Sequence, residues 1–451
     1  MPPIRFIHAA DLHLDAAFSG LSRDIPADFA ERLRTATFTA FRRLLDLCER
    51  ESPDFLLLAG DVYNQEDASV SAQLALRDGF RRLESLSIPV FLVHGNHDPL
   101  ASRLRSVRWP GNVTVFGELP DAVPVFRKGE GTPLAIIHGA SHASGRETRN
   151  LAALFRRTEA CGLHVGLLHA TPGDADGVAR YAPFSQEDLK ASGMDYWALG
   201  HIHDRREVCR EPLAAYPGCT QGLHINEPGE KGCLLVTAEA RPDGGYAVRT
   251  SFRPLGPAVW KTLDMDLGGA ASLDELENRL RTGLDRAAAE VWSGCEMLLV
   301  RLRLQGRTEL DGLLRKGTTC AELADRLRED GSGVPRIWIK DIDVATRPCV
   351  ERGALLERED LLGEVFRLSD AVLQGNYDGA ARILGDLLKM QTEPIMILAA
   401  LGSQLRRIYT ARMAIDSGKD KYWLMELWEM KSDYPAKLLL SAAKKTTAAW
   451  C

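Results

Sequence analysis

The chain contains the sequence Gly200-His201-Ile202-His203, directly after the apolar run Tyr196-Trp197-Ala198-Leu199. The apolar run reads as a buried strand, and residues i and i+2 on an extended backbone point the same way. Both imidazoles can therefore reach into one site, and Gly200 leaves room for another backbone segment to approach. A His-x-His pair alone is a weak indication of a metal site, so its meaning depends on the motifs upstream.

Four upstream motifs follow apolar runs of the same kind, and each run is typical of a buried strand. These motifs are Asp11-Leu12-His13, Gly60-Asp61, Gly95-Asn96-His97-Asp98 and His169. In open α/β sheets, ligand sites lie beyond the carboxyl ends of the strands. The sequence therefore predicts one site built from seven side chains, namely Asp11, His13, Asp61, Asn96, His169, His201 and His203.

The chemistry of these side chains favours a pair of metal ions. Oxygen and imidazole ligands without thiolate suit Mn, Fe or Zn. Seven side chains are too many for one ion and suit two ions that share a carboxylate. Two metals about 3.5–4 Å apart are the usual machinery for the hydrolysis of phosphate esters.

The order and spacing of the motifs resemble the calcineurin-like metallophosphoesterase superfamily. Three further stretches look like its DNA repair exonuclease branch of SbcD-type and YhaO-like proteins: Phe6 to Leu14, Tyr216 to Gly222 and Glu227 to Gly232. The resemblance covers residues 1–365. It implies an α/β fold in which helices flank a two-sheet β-sandwich, with a small α+β cap domain. Beyond it, from about residue 366, the helical spacing of apolar residues predicts an all-α tail.

The resemblance also implies roles for individual residues. One metal would be held by Asp11, His13, Asp61 and His203, and the other by Asp61, Asn96, His169 and His201. Both divalent ions are expected to be Mn²⁺. Asp61 would bridge them. His97 would donate a proton to, or stabilise, the leaving oxygen, and Asp98 would orient His97.

Three residues are weaker candidates for contacts with the substrate. SbcD-type nucleases carry a histidine three residues after the bridging aspartate, where this chain has Asn64, which can donate a hydrogen bond but cannot act as a cationic acid. His142 and His224 lie in loops that could face the site. Structural roles are expected for His8, His94, His138 and His164.

Composition limits the class of protein. The 451 residues carry a formal net charge of −6, which argues against tight DNA binding by bulk charge but not against a metal-assisted nuclease. The chain has no apolar stretch long enough for a membrane span, and its first residues leave no room for a signal peptide. Its nine cysteines form no C-x-x-C motif, which fits a reducing cytoplasm.

We predict four segments along the chain: a nuclease domain at 1–255, a cap at 256–345, a linker at 346–366 and a helical domain at 367–451. The helical domain resembles the C-terminal domain of the clamp-loader delta subunit of bacterial DNA polymerase III. Such a combination is either a rare fusion or a gene model that joins two unrelated fragments.

Several functions and partners stay open on the sequence. The leading hypothesis is a metal-dependent DNA phosphodiesterase that acts as an exonuclease in repair. The alternatives are a phosphodiesterase for small nucleotides with the same metal site, and a binding module for the replication complex that works through the helical tail. The resemblance implies DNA, an SbcC-like ATPase subunit and a homodimer as partners, and a genuine tail would add clamp-loader proteins.

Overall fold

A computed structural model describes residues 2–21, 25–64, 69–101, 107–174, 180–242, 244–329, 333–349, 357–359, 361–373, 375–389, 394–428, 439–440 and 443–444. The chain divides into two compact units, Met1–Arg347 and Pro348–Cys451. Among the described residues, no helix is both long and apolar enough to cross a bilayer.

The first unit contains a six-stranded sheet. In spatial order its strands are β12 (Tyr246–Pro254), β11 (Gly232–Ala240), β1 (Ile4–Ala9), β2 (Phe55–Ala59), β3 (Val90–Val93) and β4 (Val113–Val115). Strands β1 to β4 are mutually parallel, whereas β11 runs antiparallel to β1 and β12 antiparallel to β11. The carboxyl ends of β1, β2 and β3 therefore lie at one edge of this sheet.

A second six-stranded sheet packs against the first. Its strands, in spatial order, are β5 (Asp121–Val125), β6 (Ala135–Ala140), β7 (Leu163–His169), β8 (Tyr196–Gly200), β10 (Leu213–Tyr216) and β9 (Arg206–Arg210). The four central strands are parallel and the two edge strands antiparallel. Side chains from both sheets form one buried core, in which the rings of Phe6 and Phe55 stack with centroids 4.7 Å apart.

Helices cover the outer faces of the sandwich. They are α1 (Ala27–Arg34), α2 (Ala36–Glu51), α3 (Val70–Ser85) and α4 (Gln186–Ala191), with a 3₁₀ turn at Ala152–Leu154. The apolar spacing predicts one helix over residues 29–50, but the structure has two, separated at Thr35. The Thr35 hydroxyl donates to the Glu31 carbonyl over 3.1 Å, a back-bond that often bends a helix.

The cap follows, and all of it but Pro348 belongs to the same unit. It contains β13 (Ala258–Asp266), α5 (Leu273–Glu290), β14 (Met297–Gln305), β15 (Arg307–Thr308), α6 (Asp311–Leu314), α7 (Gly317–Glu329), β16 (Arg336–Val344) and β17 (Arg347–Pro348). Strands β13, β14 and β16 form a parallel sheet. Trp260 and Trp338 of this sheet pack against Phe29 of α1. The position of a domain boundary near residue 255 stays a prediction, since sandwich and cap share this packing.

The second unit is helical. Its helices are α8 (Leu361–Leu373), α9 (Tyr377–Lys389), α10 (Pro394–Asp416) and α11 (Lys421–Leu427). Leu368, Ala380 and Leu387 form one small buried cluster. The predicted fold class is thereby confirmed. Of the predicted linker, residues 350–356 and 360 lie outside the described part of the chain.

Candidate metal centre

The seven predicted ligands lie together at the carboxyl ends of strands from both sheets. Two groups form, and the candidate ligand atoms within each lie within 4.8 Å of one another. The first group is Asp11, His13 and His203, and the second is Asp61, His169 and His201. The remaining predicted ligand, Asn96, adjoins the second group through His169. Strand order alone therefore assembles residues that are up to 192 positions apart in sequence.

The first group is held with its ring nitrogens facing inward. The Nε2 atoms of His13 and His203 are 3.1 Å apart, and Asp11 Oδ1 is 3.8 Å from His203 Nε2. His13 Nδ1 donates to Asn64 Oδ1 over 2.6 Å, and His203 Nδ1 donates to Glu227 Oε1 over 2.6 Å. Each outer nitrogen is thus a donor, so each inner Nε2 keeps its lone pair for a metal ion.

The second group has the same design. His169 Nδ1 donates to the Ala59 carbonyl over 2.9 Å, and His169 Nε2 lies 3.0 Å from Asn96 Oδ1 and 3.2 Å from Asp61 Oδ2. Burial opposes the charged imidazole, but the Asp61 carboxylate more than offsets this and raises the pKa of His169 to about 9. Burial likewise disfavours an ionised Asp61, yet His169 and the nearby imidazoles hold the pKa of that carboxyl well below its usual range.

His201 connects the two groups. Its backbone N–H donates to both carboxylate oxygens of Asp11, at 3.0 and 3.2 Å. Its ring centroid lies 5.1 Å from that of His169 and 5.3 Å from that of Tyr181. His201 therefore contacts Asp11 of the first group through its backbone and His169 of the second through its ring.

Four of the seven ligands have a backbone conformation that L-residues rarely adopt. The φ angles are 51° at Asp11, 41° at His13, 48° at Asp61 and 106° at His201. Non-glycine residues with positive φ cost about 1–3 kcal/mol each and cluster at functional sites. The sandwich thus holds these side chains in place against local strain.

Two glycines allow the close approach that the site requires. A Cβ at Gly95 would lie 2.2 Å from Asp61 Oδ1, and one at Gly200 would lie 1.8 Å from the Ala59 carbonyl oxygen. Both distances are far inside van der Waals contact. The prediction that Gly200 leaves room for another backbone segment agrees with this geometry.

Asp98 supports the loops that carry the ligands. Its carboxylate oxygens accept the backbone N–H groups of Asp61, Val62 and Gly95 at 3.2, 3.0 and 2.7 Å. Its expected role in orienting His97 stays a prediction. A fully buried carboxylate needs such donors. Asp98 therefore fixes the loops that carry Asp61 and Asn96.

His97 itself is exposed at the mouth of the site. Its ring centroid lies 5.2 Å from that of His13. Its backbone N–H donates to Asp61 Oδ1 over 2.9 Å, and this bond holds the His97 backbone beside Asp61. The side chain is thus next to the ligand cluster and open to a bound substrate.

The three weaker candidates have different surroundings. Asn64 contacts the metal candidate His13, as described above. His142 is fully buried and donates Nε2–H to the His169 carbonyl over 2.6 Å, so it supports a ligand and is closed to a phosphate. His224 is half-buried and accepts from the Asn226 N–H over 3.1 Å.

Two supporting residues, Glu227 and Lys231, had no predicted role, although both lie in a segment that carries the family resemblance. Glu227 binds His203 Nδ1, while the buried Lys231 donates to the His203 carbonyl over 2.9 Å and to Asp204 over 3.0 Å. In the sequence, the available signal was that Glu227 and Lys231 carry opposite charges on either side of the Pro-Gly turn at 228–229. It indicates a loop but does not identify the partner.

Cys219 adjoins His203 and Glu227. Burial raises the pKa of its thiol well above the usual value. The residue therefore stays a protonated thiol, in agreement with a site of oxygen and nitrogen ligands.

Comparisons with known families agree with this geometry. Residues 4–205 match the calcineurin-like phosphoesterases, and residues 260–347 match the middle domain of metallophosphoesterase YhaO. Residues 363–449 match the C-terminal domain of the DNA polymerase III delta subunit.

Two relatives from sequence comparison point the same way, YhaO and Mre11. The chain is 36% identical over 348 residues to the uncharacterized metallophosphoesterase YhaO of Bacillus subtilis, spanning 76% of this chain and 82% of that protein. It is 27% identical over 319 residues to the DNA double-strand break repair protein Mre11 of Aeropyrum pernix, spanning 64% and 69%. A solved dimetal phosphatase from Danio rerio shares 14% identity with a TM-score of 0.31, over 55% of this chain and 99% of that one.

The fold and the site define a metal-dependent phosphoesterase. The chain belongs to the calcineurin-like metallophosphoesterases, and its relatives are of the YhaO and Mre11 type. This family uses a dinuclear site for divalent metal ions, and both candidate groups of ligands are present here.

Proposed function

We propose that the protein hydrolyses DNA phosphodiester bonds with two Mn²⁺ ions and acts as an exonuclease in cytoplasmic DNA repair. The observation that carries the proposal is the orientation of the ligands, since the outer nitrogens of His13, His169 and His203 are all engaged as donors. The choice of DNA is supported by the similarity to Mre11, whose name identifies it as a DNA double-strand break repair protein.

The residues present fit a pair of divalent cations. Two carboxylates are buried among imidazoles whose inner nitrogens face each other at 3.1 Å, a distance at which lone pairs repel unless a cation or a proton lies between them. Asp11, His13, Asp61 and His203 would hold one ion, and Asp61, Asn96, His169 and His201 the other. When bound, the ions polarise the phosphate and lower the pKa of a water that attacks it.

The protein supplies proton transfer and positioning. The exposed His97 imidazole is placed to give a proton to the oxygen that leaves when the P–O bond breaks. Asp98 keeps the loop of His97 and Asn96 against Asp61 through its three backbone hydrogen bonds.

Degradation of end-labelled linear duplex DNA with Mn²⁺ tests the proposal, with Asp61→Asn and a chelator as controls. We expect the wild type to shorten the DNA. Asp61→Asn should lose at least about 100-fold in activity, because changes to residues behind the ligands already cost up to that much in such sites. The position of the retained label gives the polarity. Cleavage of a small chromogenic phosphodiester but not of DNA would leave the metal site intact and overturn the DNA assignment.

That second outcome is what the small-nucleotide alternative predicts. A phosphodiesterase for small nucleotides would use the same ligands and the same His97. The two functions separate by chain length, since an enzyme for polymers should favour long substrates over dinucleotides.

A second proposal concerns the helical unit, which we infer to be a protein-binding appendage of the clamp-loader type. The match over residues 363–449 supports it. Direct binding of the full-length protein to purified clamp-loader subunits is the test, and binding that survives Asp61→Asn is expected. Amplification across codons 350–380 from source DNA must also give one uninterrupted product, or the fusion itself is rejected.

The other partners stay predictions that rest on the family resemblance. An SbcC-like ATPase and a homodimer are expected for the nuclease branch. The helical unit stands where that branch has the C-terminal helices that bind its ATPase. Measuring the size of the protein alone tests the homodimer. Measuring it in a mixture with such an ATPase tests the complex.

A further inference from the structure

Two arginines follow the metal-ligand candidate His203 almost directly. Arg205 and Arg206 are both exposed. The Arg205 guanidinium carbon lies 3.9 Å from the ring centroid of Phe252, and that of Arg206 lies 5.6 Å from the ring centroid of Tyr216. Contact with an aromatic face within about 6 Å restricts a flexible arginine to one region. The two guanidinium groups are thus held in place beside the metal centre.

The strand register places this pair at the metal end of the sandwich. Arg206 opens β9 and pairs with Tyr216 at the carboxyl end of β10, which runs parallel to β8. Phe252 lies near the end of β12, opposite Leu234, close to where β11 begins. The edges of both sheets therefore bring the arginines and their rings to the end at which the ligands meet.

The backbone of Arg205 is tied to the ligand loop. A Cβ on Gly218 would lie 2.7 Å from the His203 carbonyl oxygen and 3.1 Å from the Arg205 backbone nitrogen. Gly218 has φ of 81°. The chain thus packs tightly at this point, which limits movement of Arg205 relative to His203.

Both arginines line one cavity of about 280 Å³, together with Tyr216, Phe252 and Leu234. Small-molecule sites usually enclose about 300–1,000 Å³, so this space suits one sugar-phosphate unit better than a whole ligand. A cavity lined by apolar side chains and two guanidinium groups can bind an anion.

Within the described part of the chain, neither Arg205 nor Arg206 has a salt-bridge partner, although Glu207 also lines the cavity. The adjacent Asp204 is paired with Lys231 instead, at 3.0 Å. Guanidinium groups are permanently charged and match phosphate oxygens in pairs.

We propose that Arg205 and Arg206 form a phosphate-binding site that receives a phosphate of a nucleic-acid strand beside the scissile one. The proposal rests on the proposed DNA substrate and extends it to a neighbouring unit of the polymer. It gives the metal centre a means of selecting polynucleotides over small phosphodiesters, in a protein whose net charge of −6 offers no bulk attraction.

The test measures metal-free binding of a labelled single-stranded oligonucleotide at several salt concentrations, with a chelator present. Arg205→Gln and Arg206→Gln should each lower the salt slope of log K by about 0.7, the contribution of one phosphate contact on a single strand. The matched control is Arg210→Gln, at the far end of the same strand, where Arg210 pairs with Leu213 and is exposed. The control should keep the wild-type slope.

A second probe separates this site from the proposed function. Inorganic tripolyphosphate, titrated calorimetrically under the same conditions, should bind the wild type and Arg210→Gln but not the Arg205→Gln/Arg206→Gln protein. If the wild type degrades DNA while slopes and tripolyphosphate binding are equal in all variants, the site is overturned and the DNA function stands. If the wild type leaves DNA intact, selective loss of tripolyphosphate binding in the double variant still supports the phosphate site.

Discussion

Glu227 accepts the Nδ1–H of His203 at 2.6 Å, while the same imidazole presents Nε2 to His13 and Asp11. The second Glu227 oxygen accepts the Leu223 N–H, also at 2.6 Å. His203 opposes burial of the charge and holds the pKa of Glu227 at about 2, so the group is a carboxylate. His203 is therefore a ligand imidazole with an ionised side-chain acceptor behind it.

Replacing this carboxylate should weaken metal binding. Glu227→Gln is expected to lower Mn²⁺ affinity about 10–100-fold at one of two sites, because outer carboxylates orient a ligand imidazole and increase its basicity. Mn²⁺ titration followed by electron paramagnetic resonance gives both affinities. Glu230→Gln is the matched control, since Glu230 bonds to the Trp292 N–H in the cap. Equal affinities in both variants would remove Glu227 from this role.

The role of His97 predicts a dependence on the leaving group. His97→Gln should lower kcat for DNA about 10²–10⁴-fold, the usual contribution of a general acid. The loss should be much smaller for a p-nitrophenyl phosphodiester, because nitrophenolate leaves without protonation. Mn²⁺ stoichiometry serves as the control and should stay at two. An equal loss with both substrates would argue that His97 acts in binding or in electrostatic stabilisation.

The close approach at Gly200 predicts a large loss of stability on adding one methyl group. In Gly200→Ala the new Cβ would meet the Ala59 carbonyl at 1.8 Å, and this forces β8 away from β2. We expect destabilisation of about 3 kcal/mol or more, at or beyond the upper end for overpacked cores. Thermal unfolding of the full-length protein measures it. Gly117→Ala is the control, since its Cβ would meet nothing within 4 Å, and a similar loss there would contradict the explanation.

A buried histidine pair predicts loss of stability in acid. His138 Nε2–H donates to His164 Nδ1 over 2.9 Å, and His164 Nε2–H donates to the Ala160 carbonyl over 2.9 Å, so the His164 ring is neutral. Burial, aided by His164, lowers the pKa of His138 to about 4 from an ordinary value of about 6.5. Between these values the unfolded chain binds more protons, so stability falls as the pH is lowered through this window.

Urea unfolding at pH 7.5 and pH 5 checks the sign. The wild type should lose about 1–2 kcal/mol more on acidification than His138→Gln, which lacks the titrating ring. His224→Gln, at a half-buried position, should behave like the wild type. A wild type and His138→Gln that respond equally to pH would show that His138 is not kept neutral by the fold.

Most of the fold follows from local patterns. The apolar runs before Asp11, Asp61 and Asn96 give three buried strands, as the motifs predict. Parallel strands in a known direction are enough to bring ligand residues to one edge. The class of the fold and the family were therefore accessible before any coordinates.

The supporting contacts were not accessible in this way. Asp98 bonds to backbone 36 or 37 residues away, and Glu227 reaches a histidine 24 residues upstream across a turn. Such pairings depend on the relative placement of loops, which side-chain periodicity does not encode. His142 shows the converse, since a loop position suggested exposure whereas packing between β6 and β7 buries it.

The ligands come from two sheets, with Asp11 and Asp61 on one and His169 and His201 on the other. Hydrogen bonds join the two sheets, such as the one from His169 to the Ala59 carbonyl and the one from the His201 N–H to Asp11. A sliding of one sheet past the other by a single residue, about 3.3 Å, would separate every such pair. Catalytic competence is thus a sensitive gauge of sheet alignment, and a chimera that exchanges one sheet with a relative can work only if the inter-sheet offset is inherited with it.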